Sequence, residues 1–368
     1  MSARRVLIAA GGTGGHLFPA AAFAEALRAR GWTSILMTDE RGRRYAEGFP
    51  ADGVIDVPAA TIGGLNPVRN ARAAVRIVRG VIAADGYLKA HPANLVAGFG
   101  GYPSLPALQA ARGRIPILIH EQNAVLGRTN RAFARAAAIV ACGFERLDRL
   151  PANAGRKVIV GNPVRPAILV ARDVAYVAPG PDDPVHVLVT GGSQGARILG
   201  EVVPAAMALL DPALKARLRV TQQVREEQLP LVRTAYEKAC VAAELAPFFR
   251  DMGDRLARSC LFIGRAGAST VSELSVAGRP AILTPLAIAA DDHQSANAAA
   301  LVDVGAADAL PEDAFRPRRL ADLLTLRLGD PVDLARRAAA ARAAGRPDAA
   351  ERLADLAETL VRAPAPGS

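Results

Sequence analysis

The stretch VLIAAGGTGGH, residues 6–16, decides how the rest of the chain is read. An apolar run that reads as a strand stops at glycines, and an alanine-rich segment of helical character follows at once. The same order returns at VLVTGGSQGA, residues 187–196. Between and after these openings, short β-branched runs alternate with longer alanine-rich segments, which is the rhythm of βαβ units around a parallel sheet. Strands are predicted at RVLIAA, SILMT, ANLVAGF, IPILIH, AIVACG and KVIVGNP, and, after the proline-rich stretch 179–184, at PVHVLVT, LRVTQQV, APFF, CLFIG and AILTPL. Two domains of one plan follow, an α/β fold with a cleft between its halves and a linker near Asn162–Arg165.

Composition agrees with that reading. At 368 residues the chain exceeds the size at which one core keeps growing. It is 51% hydrophobic but only 4% aromatic, so its cores are built from Ala, Val, Leu and Ile. Cys142, Cys240 and Cys260 form an odd, scattered set without a C-x-x-C pair, which argues for a reducing compartment and against a zinc site or disulfide framework. No window approaches the length of a membrane-spanning helix, and the N-terminus reads as a first strand rather than a signal peptide. The net charge of +10 is lopsided: 21 Lys and Arg face 10 Asp and Glu up to residue 164, against 24 and 25 beyond it. The first half therefore faces an anionic surface.

A glycine turn that opens a helix presents unpartnered backbone N–H groups to an anion. GGTGGH fits neither common nucleotide signature, because Leu17 stands where a dinucleotide fingerprint needs glycine, and no Gly-Lys-Ser/Thr follows. His16 ends the turn at a helix start, where the positive dipole end keeps an imidazole neutral, as a base must be. Glu121 and Asn123 lie in HEQN, a polar quartet directly after the strand IPILIH. In Gly267–Glu273, Thr270 and Glu273 have the spacing of a capping box, which needs no ligand; the functional alternative is that Glu273 accepts from ribose hydroxyls. Asp291–Asn297 gathers amides and hydroxyls of the kind that read sugar hydroxyls. On NPVRNARAAVRIVRGVIAA, residues 66–84, arginines 69, 72, 76 and 79 form one stripe beside Val68, Val75, Val78 and Ile82. That pattern suits a core-facing helix with a solvated edge, or one lying on anionic headgroups. Nucleic acid is disfavoured because stacking aromatics are scarce. No D-x-D sequence or compact ligand cluster is present, so no metal and no other cofactor is expected.

GGTGGH, GFGGYPS at 98–104, HEQN, GNPVR at 161–165, GGSQGAR, residues 265–273 and DDHQSANA at 291–298 together resemble the MurG family, in order and to about residue 350. The resemblance implies a GT-B fold of two Rossmann-like domains: residues 1–164 on the acceptor and membrane side, residues 165–362 holding the donor, and a tail at 363–368. It implies an inverting transfer of GlcNAc from UDP-GlcNAc to the C4 hydroxyl of MurNAc in undecaprenyl-linked lipid I, giving lipid II for peptidoglycan synthesis. Carried over by motif, Thr13, Gly14 and Gly15 line the donor side of the cleft and Asn123 contacts the sugar. Arg165 and Ser193 lie by the nucleotide and its diphosphate. Ala268, Ser269, Thr270, Val271 and Ser272 form the donor helix start, with Glu273 on the ribose, Gln294 on the GlcNAc hydroxyls and the Phe249 backbone contacting the uracil. His16 is the preferred base and Glu121 the reserve. The location implied is the cytoplasmic face of the bacterial inner membrane, peripheral, with other cell-wall synthesis proteins as partners. The alternatives are another GT-B enzyme such as a non-hydrolysing UDP-GlcNAc 2-epimerase, against which HEQN and DDHQSANA count, and a non-catalytic basic binder, against which the paired glycine turns count.

Overall fold

The computed structural model describes residues 4–12, 14–43, 46–61, 66–192, 195–286 and 292–362. They divide into two compact units, residues 1–165 with 347–368, and residues 166–346. The first unit is built on seven parallel strands: β1 Arg5–Ala9, β2 Thr33–Thr38, β3 Gly53–Asp56, β4 Leu95–Gly98, β5 Ile117–Glu121, β6 Ile139–Cys142 and β7 Arg156–Ile159. Their order is β3-β2-β1-β4-β5-β6-β7. β1 is central, with Leu7 opposite both Ile35 and Val96. Val6 and Ile8 enter one core and Leu7 and Ala9 the other. β1, β4, β5 and β6 are buried on both faces, which is why these four read as apolar runs rather than alternating ones.

The second unit has six parallel strands, β8 Val185–Thr190, β9 Leu218–Gln223, β10 Ala242–Ala246, β11 Leu261–Gly264, β12 Ala281–Leu283 and β13 Ala307–Ala309. Their order, β10-β9-β8-β11-β12-β13, repeats the doubly wound pattern of the first six strands of the other sheet. In each unit the first strand is central and the glycine turn leaves its carboxyl end.

Three departures from the sequence reading have physical reasons. β3 (GVID) and β13 (ADA) are short strands without a strong β-branched signal. The strand expected at APFF ends at Ala246, because Pro247 has no N–H to continue a ladder. The C-terminal helix Ala349–Arg362, assigned by sequence to the second domain, packs on the first unit. There Leu353, Ala354 and Ala357 join the core beside Leu17 and Phe23. Arg30 reaches Glu351 at 2.5 Å and Asp355 at 2.6 Å, and Arg4 reaches Glu358 at 2.9 Å.

The arginine-striped helix spans Pro67–Ala90, with Pro67 in its first turn and the Asn66 side chain accepting from Arg69 N at 3.0 Å. Its buried positions are Ala73, Gly80, Ala84 and Leu88. Val68, Val75, Val78 and Ile82 are 54–66% exposed, so the core-facing alternative for these four side chains does not hold. Gly80 explains the choice of face: a Cβ there would lie 2.0 Å from the Pro58 carbonyl oxygen, so only glycine admits so close an approach. Among the described residues, no helix is long and apolar enough to cross a membrane.

Candidate active site

In the first unit the polar groups gather beyond the carboxyl ends of β1, β4 and β5. Gly12 turns with φ of +85°, and the helix Gly14–Ala29 starts immediately, with Gly14, Gly15 and His16 in its first turn. The loop after β4 crosses over the His16 ring. A Cβ on Gly100 would sit 3.4 Å from His16 Cε1, and one on Gly101 3.3 Å from Cδ2, with both glycines at positive φ. The tightest approaches of such a Cβ are elsewhere, to Asn130 Nδ2 at 3.2 Å for Gly100 and to the Gly11 carbonyl oxygen at 2.8 Å for Gly101, so the loop packs close to the ring and to the opening turn together. Ser104 ties this loop to β1 by donating to Ala9 O at 3.0 Å. Tyr102 OH donates to Asp39 Oδ2 at 2.6 Å, and burial, with the Asp39 charge adding to it, pushes the phenol up to about 12.

His16 Nδ1 meets Gln122 Oε1 at 2.9 Å. Gln122 is buried, and its amide nitrogen lies 3.0 Å from His120 Nδ1 and 3.1 Å from the His120 carbonyl oxygen. His120 Nε2 in turn faces Gly161 O at 3.0 Å. Burial pushes His120 down to about 4 against the opposing Gly161 hydrogen bond, with the neighbouring His16 adding to the fall, so it is neutral near pH 7. Glu121 is also buried but points into its own loop. Its carboxylate accepts from Asn123 N at 3.0 Å, Asn123 Nδ2 at 3.2 Å, Gly127 N at 2.9 Å and Asn130 Nδ2 at 2.8 Å. Four converging donors make it the anchor of residues 122–130. Asn123 is half-buried at the head of that loop. Arg165 also falls in this unit, its guanidinium 5.4 Å from the Phe18 ring centroid, one turn beyond Gly14.

In the second unit the turn after β8 includes Gly192 at φ of +79° and Gly195 at +64°, and the helix Arg197–Ala208 follows with Ala196 at its cap position. After β11 the helix Ala268–Ala277 begins behind Gly267, which supplies no side-chain cap. The capping box expected at Thr270 and Glu273 is therefore not the start of this helix. Thr270 is already its third residue, and the first intrahelical bond runs from Val271 N to Gly267 O. The N–H groups of Ala268, Ser269 and Thr270 are left for an outside acceptor. Val271 and Ser272 are buried in the next positions, and Glu273 is half-buried in the second turn. Gln294 lies in the helix His293–Val302, its Oε1 accepting from Leu286 N at 3.0 Å. Phe249 is buried beneath Arg255, 4.1 Å from its ring centroid, and Arg255 is held by Glu244 and Asp251. Those two carboxylates raise the guanidinium further above its ordinary value.

Thr13 and Ser193 lie outside the described residues. Two residues that lay within the motifs without a role assigned to them act as positioning residues. Arg265 donates to Thr284 O at 3.2 Å, Pro285 O at 3.3 Å and Glu312 at 3.1 Å, which joins the ends of β11 and β12. Buried Asn297 donates to Ala266 O at 3.2 Å and so holds the turn before Gly267. An arginine among small residues and an asparagine on an alanine-rich helix were the available hints.

Two family models match the chain, the glycosyltransferase family 28 N-terminal domain over residues 6–142 and the family 28 C-terminal domain over residues 186–353. The chain belongs to glycosyltransferase family 28. Curated relatives in this family include a UDP-N-acetylglucosamine–N-acetylmuramyl-(pentapeptide) pyrophosphoryl-undecaprenol N-acetylglucosamine transferase of Maricaulis maris, 54% identical over 98% of this chain and 99% of the relative. One of the same name from Phenylobacterium zucineum is 51% identical over 98% and 99%. Among solved structures, Acinetobacter baumannii MurG is similar with a TM-score of 0.78 at 33% identity, covering 97% of this chain and 99% of that one. As a family 28 glycosyltransferase the chain has the GT-B fold, two Rossmann-like domains with parallel sheets.

Proposed function

We propose that this chain transfers GlcNAc from UDP-GlcNAc to the C4 hydroxyl of MurNAc in lipid I, with inversion, to give the β-1,4-linked disaccharide of lipid II. The observation that carries the reading is near-full-length identity of 54% and 51% to relatives named for that transfer. In the step itself the acceptor oxygen bonds to the anomeric carbon as the bond from that carbon to the diphosphate oxygen breaks. The hydroxyl proton passes to a base, and UDP leaves with the negative charge.

Of the two candidate bases, His16 is supported by its bare Nε2, to which no described residue is hydrogen-bonded. Glu121 has its oxygens engaged by four donors. The growing charge on the diphosphate suits the open amides of Ala268, Ser269 and Thr270, with Gly14, Gly15, Arg165, Thr13 and Ser193 contributing by motif. Glu273 would accept from the ribose hydroxyls. Gln294 would reach the GlcNAc hydroxyls with its donor end, since Oε1 is already bonded. The side chain of Phe249 is buried, which leaves its backbone for the uracil. Asn123, held by Glu121, would contact the sugar.

The acceptor carries a lipid, and the Pro67–Ala90 helix offers exposed Val68, Val75, Val78 and Ile82 beside four arginines. This pairing fits peripheral attachment to an anionic membrane surface, with the cytoplasmic face of the inner membrane as the location. The test is to incubate the purified chain with labelled UDP-GlcNAc and a lipid I analogue in anionic vesicles, then follow the label. Label in the lipid fraction is the expected result. Intact donor binding without transfer would overturn the reading, and conversion of UDP-GlcNAc alone to its 2-epimer would replace it with the epimerase.

A further inference from the structure

We infer that Gln122 and His120 are positioning residues that hold His16 as the Nδ1–H tautomer, leaving the lone pair on Nε2. The inference deepens the reading of His16 as base and rests on it.

The hydrogen bonds run in one direction because two backbone carbonyls, which can only accept, anchor the relay: Gly161 O at its far end and His120 O at the Gln122 amide. Gly161 O, 3.0 Å from His120 Nε2, requires that nitrogen to donate. A neutral His120 then has its lone pair on Nδ1 and accepts there from the Gln122 amide nitrogen at 3.0 Å. The second hydrogen of the same amide goes to the His120 carbonyl at 3.1 Å, which fixes the amide orientation independently. Oε1 is therefore turned to His16, and a bond at 2.9 Å between that oxygen and Nδ1 forms only if Nδ1 carries the hydrogen. The alternative tautomer would set two lone pairs against each other. The backbone of Gly100 and Gly101 runs beside the Cε1 and Cδ2 sides of the ring.

His120 must stay neutral for this order to persist. An imidazolium there would donate from Nδ1, turn the Gln122 amide round, and present its N–H groups to His16 Nδ1. Burial holds His120 down to about 4, well away from the working range. The relay joins residues 16, 120, 122 and 161. It gives the buried, uncharged His120 a task that neither proton transfer nor substrate contact would require.

The tautomer can be read directly. The full chain has five histidines, so 15N-histidine labelling and a two-bond 1H–15N correlation near pH 8 give five resolvable patterns, with His16 assigned by its loss in His16→Ala. The expected spectrum shows His16 Nδ1 protonated and Nε2 bare. A protonated Nε2 in the unsubstituted protein overturns the inference without any variant having to fold. In Gln122→Leu the His16 pattern is expected to move towards Nε2–H, with kcat at least tenfold lower and KM for UDP-GlcNAc within twofold. A wrong imidazole tautomer costs a Ser-His-Asp triad about 10⁴-fold, which makes tenfold a modest threshold. Gln122→Glu, which still offers an oxygen to Nδ1–H, is expected to restore the Nδ1–H pattern. A His16 pattern unmoved by Gln122→Leu overturns the relay. A moved pattern with undiminished kcat supports the tautomer assignment and overturns the base reading, which keeps the two failures apart.

Discussion

The two strand–turn–helix openings, after β1 and after β8, share a backbone plan and differ in what they present. The first places an imidazole in the opening turn of its helix and backs it with a buried network of side chains, Gln122, His120 and, alongside, Glu121. The second has Ala196 at the corresponding cap. Its neighbour after β11 starts behind Gly267, and neither helix start is closed by a side chain. Under the proposed function, the same local architecture would serve two kinds of chemistry. A site that handles a proton needs one group fixed in orientation and protonation state. A site that holds an anion is best left with unspent backbone donors.

That contrast can be broken most directly at His16. His16→Ala is expected to lower kcat by roughly 10²- to 10⁴-fold, the usual weight of general base catalysis, and to leave donor affinity nearly intact. Survival of turnover would erase the distinction between the two openings. A smaller effect is expected in acid. The folded state depresses the His120 pKa from 6.5 to about 4, so the unfolded chain binds the extra proton between those values. Stability from this group is complete above pH 6.5 and is lost as pH falls to about 4, a difference of about 3 kcal/mol. The chain's single tryptophan, Trp32, is buried in the first unit, so its fluorescence in denaturant titrations reports this unit. His120→Asn should flatten the pH dependence of that transition. The mildest change sharpens the second half of the contrast: Glu273→Gln should raise KM for UDP-GlcNAc about tenfold, worth about 1.4 kcal/mol, with kcat within a few-fold. A fall in kcat alone would move Glu273 from holding the donor to the chemistry.

Sequence patterning carried far where burial on both sides of a sheet leaves long apolar runs, as in β1, β5 and β8. It carried less at β3 and β13, which are too short to show a period. It placed the last helix with the wrong unit, because the spacing of Leu353, Ala354 and Ala357 shows that a face is buried but not against which sheet. The site divided in the same way. GGTGGH and HEQN stand out as local clusters, so His16 and Glu121 were legible as polar groups at strand ends. Their different uses were not, because these depend on which way a side chain turns: Glu121 into its own loop, Gln122 across to a helix 106 residues earlier in the chain. Thr270 shows the converse, a motif with the right spacing that the helix start bypasses by three residues.

The return of the C-terminal helix to the first unit has a consequence for synthesis. By the time residue 346 has left the ribosome, every strand of both sheets has been made. The second unit is then complete, while the first still lacks Leu353, Ala354 and Ala357 over the core that holds Leu17 and Phe23. The half of the chain made first is therefore finished last. Until residues 349–362 emerge, the face behind the His16 helix stays uncovered and open to chaperones.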